Sequence, residues 1–311
     1  MRLTYLLFAC LGLIWGSNFI YMKWAAALIS PAQIVLLRVF FGFLPLAFVA
    51  WRKRVITRTQ LRLLPHFGVM AAVATAFYYY AIVRGTELLP SGIAGVLGGS
   101  ISLFTAICSL LFLRTEKLNR LMALGVVLGF AGIVLIARPW ESIAVGQGAG
   151  GENAIDPNAV DPMGVFWMLS GAVILGVSYV YVRRFLSPHN LPPLALVTWQ
   201  IGLALLIMLA TTSFTGMARI MDEPRAAFGV VIGLGVLGTG VAFLIYYYLL
   251  QQLGAVASSG ATYITPVVAL AISRLAGEQV GLLELAAAAL ILASIALLQV
   301  GRQRAVRAAA V

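Results

Sequence analysis

The chain has 311 residues, of which 62% are apolar and only 10% charged, and its formal net charge is +11. A mean hydropathy of +1.00 excludes an ordinary soluble domain. We therefore predict a membrane protein, in which the excess of basic residues reflects topology rather than a nucleic-acid partner.

Ten segments are long and apolar enough to cross a hydrocarbon core of about 30 Å as helices. Most Lys and Arg residues lie in loops that face the cytoplasm if both termini do, so the positive-inside rule predicts that orientation. The predicted fold class is an all-α polytopic membrane protein with spans at about 3–28, 31–51, 63–83, 88–113, 118–138, 162–184, 191–214, 226–250, 255–275 and 281–300.

The first half of the chain is repeated in the second half. LIWGSNFIYMK (13–23) is echoed by VILGVSYVYVR (173–183), and AFYYYAI (76–82) by FLIYYYL (243–249). Because each copy holds an odd number of spans, five, the second copy enters the bilayer from the opposite side. Such inverted repeats build transporters with a substrate site near the midplane. We predict repeat 1 at 1–140, an external linker loop at 141–161 and repeat 2 at 162–311.

The first two spans carry polar residues within apolar sequence. Trp15 is the only tryptophan at mid-span, and Asn18 lies one helical turn further along. A buried amide must face protein or a water-filled cavity, so this pair either lines a substrate wall or joins helices. Lys23 and Arg38 lie toward the outer ends of their spans. Snorkelling to the interface is the usual behaviour of such residues, and contact with a substrate carboxylate is the alternative.

Two tyrosine triplets, 78–80 in span three and 246–248 in span eight, follow the same reasoning. Consecutive helical residues point about 100° apart, so three neighbouring tyrosines cannot all face lipid. We expect at least one of each triplet to anchor the interface and the others to face a cavity, with Tyr247 as a gate. The predicted substrate-binding set is Trp15, Asn18, Thr75, Tyr78, Tyr79, Ser100, Tyr179, Tyr246 and Tyr263.

Spans four and nine each carry a candidate hinge. Pro266 interrupts the hydrogen-bond ladder of span nine, and Gly98 and Gly99 lie at similar depth in span four. Both positions either bend during transport or form static packing kinks. Small residues in spans five and ten either pack these spans together or form a homodimer face, leaving monomer and homodimer both open.

Several of these residues also carry a resemblance. The stretch Trp15-Gly16-Ser17-Asn18-Phe19 with Lys23, Pro31 and Arg38, together with Tyr263-Ile264-Thr265-Pro266 and Gly277-Glu278, resembles the EamA family of the drug/metabolite transporter superfamily. More narrowly, the aromatic cavity candidates are similar to those of amino-acid exporters of the YddG type. The resemblance implies a ten-helix carrier in the bacterial inner membrane that exports small metabolites. Repeat 1 departs from the pattern, with Ser102 near the position of Pro266 and Thr115-Glu116 in place of Gly-Glu.

The sequence also indicates what is missing. No Asp, Glu or His lies near the centre of a predicted span, so we predict no enzyme, no metal or other cofactor, and transport without ion coupling. Taken with the resemblance, we predict alternating-access export of aromatic and other neutral amino acids, or of similar metabolites. The alternatives are export of another metabolite or drug, transport of a nucleotide-sugar-type substrate, and a channel.

Overall fold

A computed structural model describes residues 2–113, 118–138, 140 and 160–309, and in these ranges every regular element is helical. We number the ten long helical segments of the described chain in order. They are α1 (Arg2–Ala26), α2 (Pro31–Arg52), α3 (Arg58–Leu88), α4 (Ser91–Phe112), α5 (Arg120–Ala137), α6 (Pro162–His189), α7 (Pro193–Thr211), α8 (which joins Pro224–Phe228, Gly229–Val241 and Ala242–Ser259), α9 (Ala261–Leu275) and α10 (Leu282–Ala309).

The all-α fold class is confirmed, with one difference in the helix bounds. Nine helices of the described chain are long and apolar enough to span a membrane, whereas α9 has only 15 residues. The last helix of α8 ends at Ser259 rather than near residue 250, and so includes the predicted start of span nine. The sequence has Pro90 between α3 and α4 but no proline at the corresponding turn after Leu253. In the structure the break falls at Gly260.

The packing of α1 and α6 shows the inverted repeat in three dimensions. Gly16 of α1 lies so close to α9 that an added methyl group would stand 2.5 Å from Cβ of Val268. Gly176 of α6 also lies close to α4, where an added methyl group would stand 2.9 Å from the backbone of Phe104. Gly16 and Gly176 are equivalent in the sequence repeat, so these two close helix contacts are copies of one another. Small residues permit such contacts in lipid, where the hydrophobic effect does not drive helix association.

Helices α5 and α10 pack along each other as a wall of the bundle. The glycines of α5, Gly125, Gly129 and Gly132, face Ser294 and its neighbours on α10. This glycine stripe is therefore covered within one chain.

The two equivalent helices α3 and α8 share an uncommon feature. Each changes from α-helical to π-helical hydrogen bonding, over Ala71–Phe77 in α3 and Gly229–Val241 in α8. Each π segment ends shortly before a tyrosine triplet. Segments of this kind are rare and occur frequently at functional sites. The space between α3 and α8 is therefore a candidate functional site.

The connection between the repeats is described only at its end. Residues 141–159 of the predicted linker lie outside the described residues, as do Thr115 and Glu116. Asp161 ends the connection and caps α6, because its carboxylate accepts a hydrogen bond from the backbone N–H of Met163 at 2.8 Å.

Candidate functional site

Arg38 of α2 is a charged side chain held inside the bundle. It is only 6% exposed, so it does not snorkel to the interface. Its Nε donates a hydrogen bond to Oγ1 of Thr239 in the π segment of α8, at 3.1 Å. Its guanidinium carbon lies 3.9 Å from the centre of the Tyr79 ring on α3. Arg38 therefore connects α3 with α8 across the two repeats.

Arg38 has no acidic partner in the described part of the chain. The ion pairs found there are Arg84–Glu87, Arg138–Glu284 and Arg225–Glu223. A cation–π contact and one hydrogen bond to a hydroxyl stabilise a buried guanidinium, but they leave its charge uncompensated. A site of this kind favours an anionic group.

Aromatic side chains surround the same region. The rings of Tyr78 and Tyr79 lie 5.4 Å apart. Tyr179 of α6 is 52% exposed and lies within electrostatic range of Tyr78, Tyr79 and Tyr246. Four of the predicted substrate-binding tyrosines, from three helices of both repeats, are therefore brought together.

Trp15 and Asn18 border this aromatic cluster from α1. The Trp15 ring lies 5.8 Å from the Tyr246 ring of α8. Asn18 is only 5% exposed. Its side-chain oxygen Oδ1 lies against Gly238, the residue before Thr239 on α8. No donor forms a hydrogen bond with this oxygen. A buried acceptor without a donor is costly in a folded protein, so a ligand N–H or O–H would be stabilised there.

Thr75 is buried on α3, and its partner is a residue that the sequence analysis missed. Nε2 of Gln200 on α7 donates a hydrogen bond to Oγ1 of Thr75 at 2.8 Å. Gln200 is 8% exposed. The sequence offered a signal for Gln200, because an amide in the middle of a span needs a polar partner, as Asn18 does.

The candidate hinges meet each other in the structure. Helix α4 is interrupted at Gly99 and Ser100, between Ser91–Gly98 and Ile101–Phe112. An added methyl group on Gly99 would stand 3.2 Å from Pro266, and one on Gly98 would stand 2.9 Å from the Phe19 ring of α1. The Ser100 hydroxyl donates to the Leu97 carbonyl at 2.6 Å. Ser100 therefore stabilises the interruption rather than facing the aromatic cluster.

Other predicted residues lie away from the cluster. Nζ of Lys23 donates to the backbone carbonyls of Glu87 and Leu89, at 2.9 and 2.8 Å, and so caps the end of α3. Tyr247 accepts a hydrogen bond from Gln251 at 2.7 Å and lies beside Lys53 in the loop after α2. The hydroxyl of Tyr263 is buried without a hydrogen-bond partner.

A second polar contact closes the predicted outer side near Lys23. One carboxylate oxygen of Glu278 accepts hydrogen bonds from the backbone N–H and the hydroxyl of Ser91, both at 2.8 Å, and from the hydroxyl of Ser273. A carboxylate at the start of α4 and an ammonium at the end of α3 both complement the helix dipoles. Helix α1 and the loop after α9 thus hold the α3–α4 hairpin at both of its helix ends.

Two open cavities of about 480 and 490 Å³ lie at the predicted outer surface. One is bordered by Gln33 and Ser213, and the other by Glu278 and Gly281. Neither cavity is lined by residues of the aromatic cluster.

The arrangement is suited to binding a small molecule inside the membrane. It combines one buried cation, one unpaired acceptor and several aromatic rings, contributed by helices of both repeats. These are features that orient a ligand.

Comparison with known proteins agrees with this architecture. The EamA-like transporter family matches residues 2–138 and 162–300. The chain is 26% identical to the "Uncharacterized inner membrane transporter YedA" of Escherichia coli, over 93% of this chain and 88% of the relative. It is 24% identical to the "Uncharacterized transporter YoaV" of Bacillus subtilis, over 83% of each chain. It is also 24% identical to a "Probable terminal-alkyne amino-acid exporter" of Streptantibioticus cattleyicolor, over 70% of this chain and 67% of the relative.

A solved crystal structure shares the fold, with a TM-score of 0.58 at 20% sequence identity, covering 96% of this chain and 97% of that one. The family match covers both five-helix halves, and relatives matched over most of the chain are named as transporters. This chain is therefore a multi-pass membrane transporter that belongs to the EamA-like transporter family.

Proposed function

We propose that this protein is an alternating-access carrier, rather than an enzyme or a channel, that exports amino acids or similar small metabolites without ion coupling. The preferred substrates in this proposal are aromatic and other neutral amino acids. The observation that carries the proposal is the buried Arg38 guanidinium, which lies beside an aromatic cluster without an acidic partner among the described residues.

The charge on Arg38 supports a substrate with a carboxylate. Burying an ion without a counter-ion is unfavourable, so a bound carboxylate would be stabilised by a charge-assisted hydrogen bond that replaces lost hydration. The unpaired Oδ1 of Asn18 is a suitable acceptor for the ammonium group of the same molecule. Arg38 and Asn18 contact consecutive residues of α8, Thr239 and Gly238.

The aromatic cluster supports a preference for apolar side chains. Trp15, Tyr78, Tyr179 and Tyr246 offer large, rigid surfaces, and the three tyrosines carry hydroxyls at their ring edges. Aromatic rings pack favourably against other rings and aliphatic groups. Nucleotide-sugar-type substrates fit less well, because Arg38 is the one fully buried cation of the described chain.

The relatives add support for export across the inner membrane. One is named as an amino-acid exporter and another as an inner membrane transporter. The distribution of basic loops favours an orientation with both termini in the cytoplasm.

Counterflow in liposomes tests the proposal. Purified protein is reconstituted into vesicles preloaded with single unlabelled amino acids, and uptake of the same labelled amino acid is measured. We expect transient accumulation with aromatic and neutral amino acids, lost in Trp15→Ala and kept in Trp51→Ala, because Trp51 is 70% exposed and outside the cluster. If the wild-type protein is folded but shows no counterflow of any amino acid, the proposal is refuted.

The same vesicles test mechanism. Flux that never saturates and shows no counterflow would indicate a channel. A pH gradient that drives uphill accumulation would refute transport without ion coupling.

A further inference from the structure

The inverted repeat assigns a counterpart to Arg38. Helices α2 and α7 begin at Pro31 and Pro193, a difference of 162 residues. The same difference relates Arg38 to Gln200. Since α2 and α7 are the second helices of their repeats, these two residues occupy equivalent positions on opposite sides of the pseudo-symmetry axis.

The structure shows that their contacts are equivalent too. Both side chains are buried and reach across to a threonine of the other repeat. Arg38 donates to Thr239 in the π segment of α8, and Gln200 donates to Thr75 in the π segment of α3. Both contacts lie next to the tyrosine cluster, because Thr75 is one turn before Tyr79.

The two positions differ in charge. Arg38 is a permanent cation, whereas Gln200 is a neutral amide with donors and an acceptor. A substrate between them meets a positive charge on one side only. A second negative charge on the Gln200 side would lose its hydration without gaining a counter-ion, which is strongly unfavourable in a buried site.

We infer that Gln200 determines substrate specificity as the neutral counterpart of Arg38, limiting the substrate to a single negative charge and orienting its carboxylate toward Arg38. This inference rests on the proposed function and makes it narrower. The substrate class is a monocarboxylate such as a zwitterionic neutral amino acid, and acidic amino acids are excluded by the missing cation at position 200.

An exchange of the two residues tests the inference. Counterflow of labelled leucine and aspartate is measured for wild type, Arg38→Gln, Gln200→Arg and the double variant Arg38→Gln/Gln200→Arg. Arg38→Gln removes the charge that would bind the substrate carboxylate, so we expect it to lower leucine counterflow by about 10-fold or more. The double variant should recover most of that loss, since the cation returns at the equivalent position. Gln200→Arg alone should raise aspartate counterflow by about 10-fold.

Gln200→Glu provides a near-isosteric variant in case the arginine variants do not fold. It places a carboxylate on the neutral side, so we expect the ratio of lysine to leucine counterflow to rise by about 10-fold. Folding is checked by thermal unfolding in detergent and by size-exclusion chromatography.

The outcomes separate the two proposals. If wild type transports leucine but the folded double variant remains as inactive as Arg38→Gln, the inference about Gln200 is wrong and the proposed function stands. An unchanged lysine-to-leucine ratio in Gln200→Glu would overturn it in the same way. If wild type transports no amino acid, the proposed function fails, and the inference fails with it.

Discussion

Arg38 shows how a single residue can depart from the usual behaviour of its type. Arginine near the end of a span normally extends to the interface, where water hydrates its charge. Arg38 instead turns into the bundle, because the face of Tyr79 and the hydroxyl of Thr239 are both within its reach. The two contacts come from different repeats, so both can be kept only while α3 and α8 stay close together.

Substitution of Tyr79 tests the contribution of the ring to holding Arg38. Tyr79→Leu removes the π face, and a desolvated cation–π contact is worth about 2 kcal/mol. We therefore expect a lower unfolding temperature in detergent and weaker leucine counterflow. Tyr79→Phe keeps the ring and is the matched control, expected to remain close to wild type. Equal behaviour of the two variants would show that the ring does not stabilise the guanidinium.

At the scale of helices, close approach depends on a few small residues. The contacts between α1 and α9 and between α6 and α4 leave no space for a side chain at Gly16 or Gly176. The hinge region uses the same device, since Gly99 of α4 packs against Pro266 of α9. Helices α4 and α9 therefore meet where each has a feature that weakens regular helical hydrogen bonding.

Adding one methyl group to Gly16 should separate α1 from α9. In Gly16→Ala the new Cβ would stand 2.5 Å from Val268 Cβ. Overpacking of this kind typically lowers the free energy of unfolding by about 1–3 kcal/mol. We expect a clear drop in the unfolding temperature measured in detergent.

Gly68→Ala is the control for the Gly16 substitution. Gly68 is also helical but has no neighbour within 4 Å of an added Cβ, and alanine favours a helix by roughly 0.5–1 kcal/mol over glycine. It should therefore be neutral or slightly stabilising. An equal loss of stability in both variants would refute the packing argument.

At the scale of the whole molecule, the predicted outer side is closed by charged side chains that cap the α3–α4 hairpin. Lys23 from α1 binds the carbonyls at the end of α3, and Glu278 from the loop after α9 binds Ser91 at the start of α4. Alternating access in inverted-repeat carriers moves one group of helices against another. Any opening that separates this hairpin from α1 and α9 must break these hydrogen bonds.

Removing Glu278 should favour opening on that side. Hydrogen bonds to a charged group contribute about 1.5–3 kcal/mol each, so Glu278→Leu should shift the closed-to-open equilibrium by about 10-fold or more. The measurement is the labelling rate of Ala94→Cys, a buried position on α4, by a polar thiol reagent after replacement of Cys10 and Cys108.

Arg84→Leu is the matched control for this experiment. It removes a partly exposed ion pair with Glu87, one helical turn away in the same helix, and such pairs contribute little. The labelling rate should therefore stay at its original value. Similar rates in Glu278→Leu and wild type would show that these contacts do not keep the outer side closed.

The sequence by itself determined the fold class, the inverted repeat and the family. The fold class and the repeat follow from apolar length and from an odd number of spans per copy, which can be counted along LIWGSNFIYMK, its echo and the tyrosine triplets. The family follows from the resemblance carried by Trp15-Gly16-Ser17-Asn18-Phe19 and Tyr263-Ile264-Thr265-Pro266. Asn18 and the tyrosines 78, 79 and 246 could be chosen as candidates because polar and aromatic groups inside a span need a reason to be there.

Only the tertiary structure decided which of those candidates meet. It placed Tyr179 within electrostatic range of Tyr78 and Tyr246 and turned Arg38 inward. It made Lys23 a helix cap and Gln200 the partner of Thr75. It also moved the start of α9 to Ala261. The direction of a long side chain depends on the partners that other helices bring within a few ångströms, and those helices are distant in the sequence. Spacing along one span cannot supply that information.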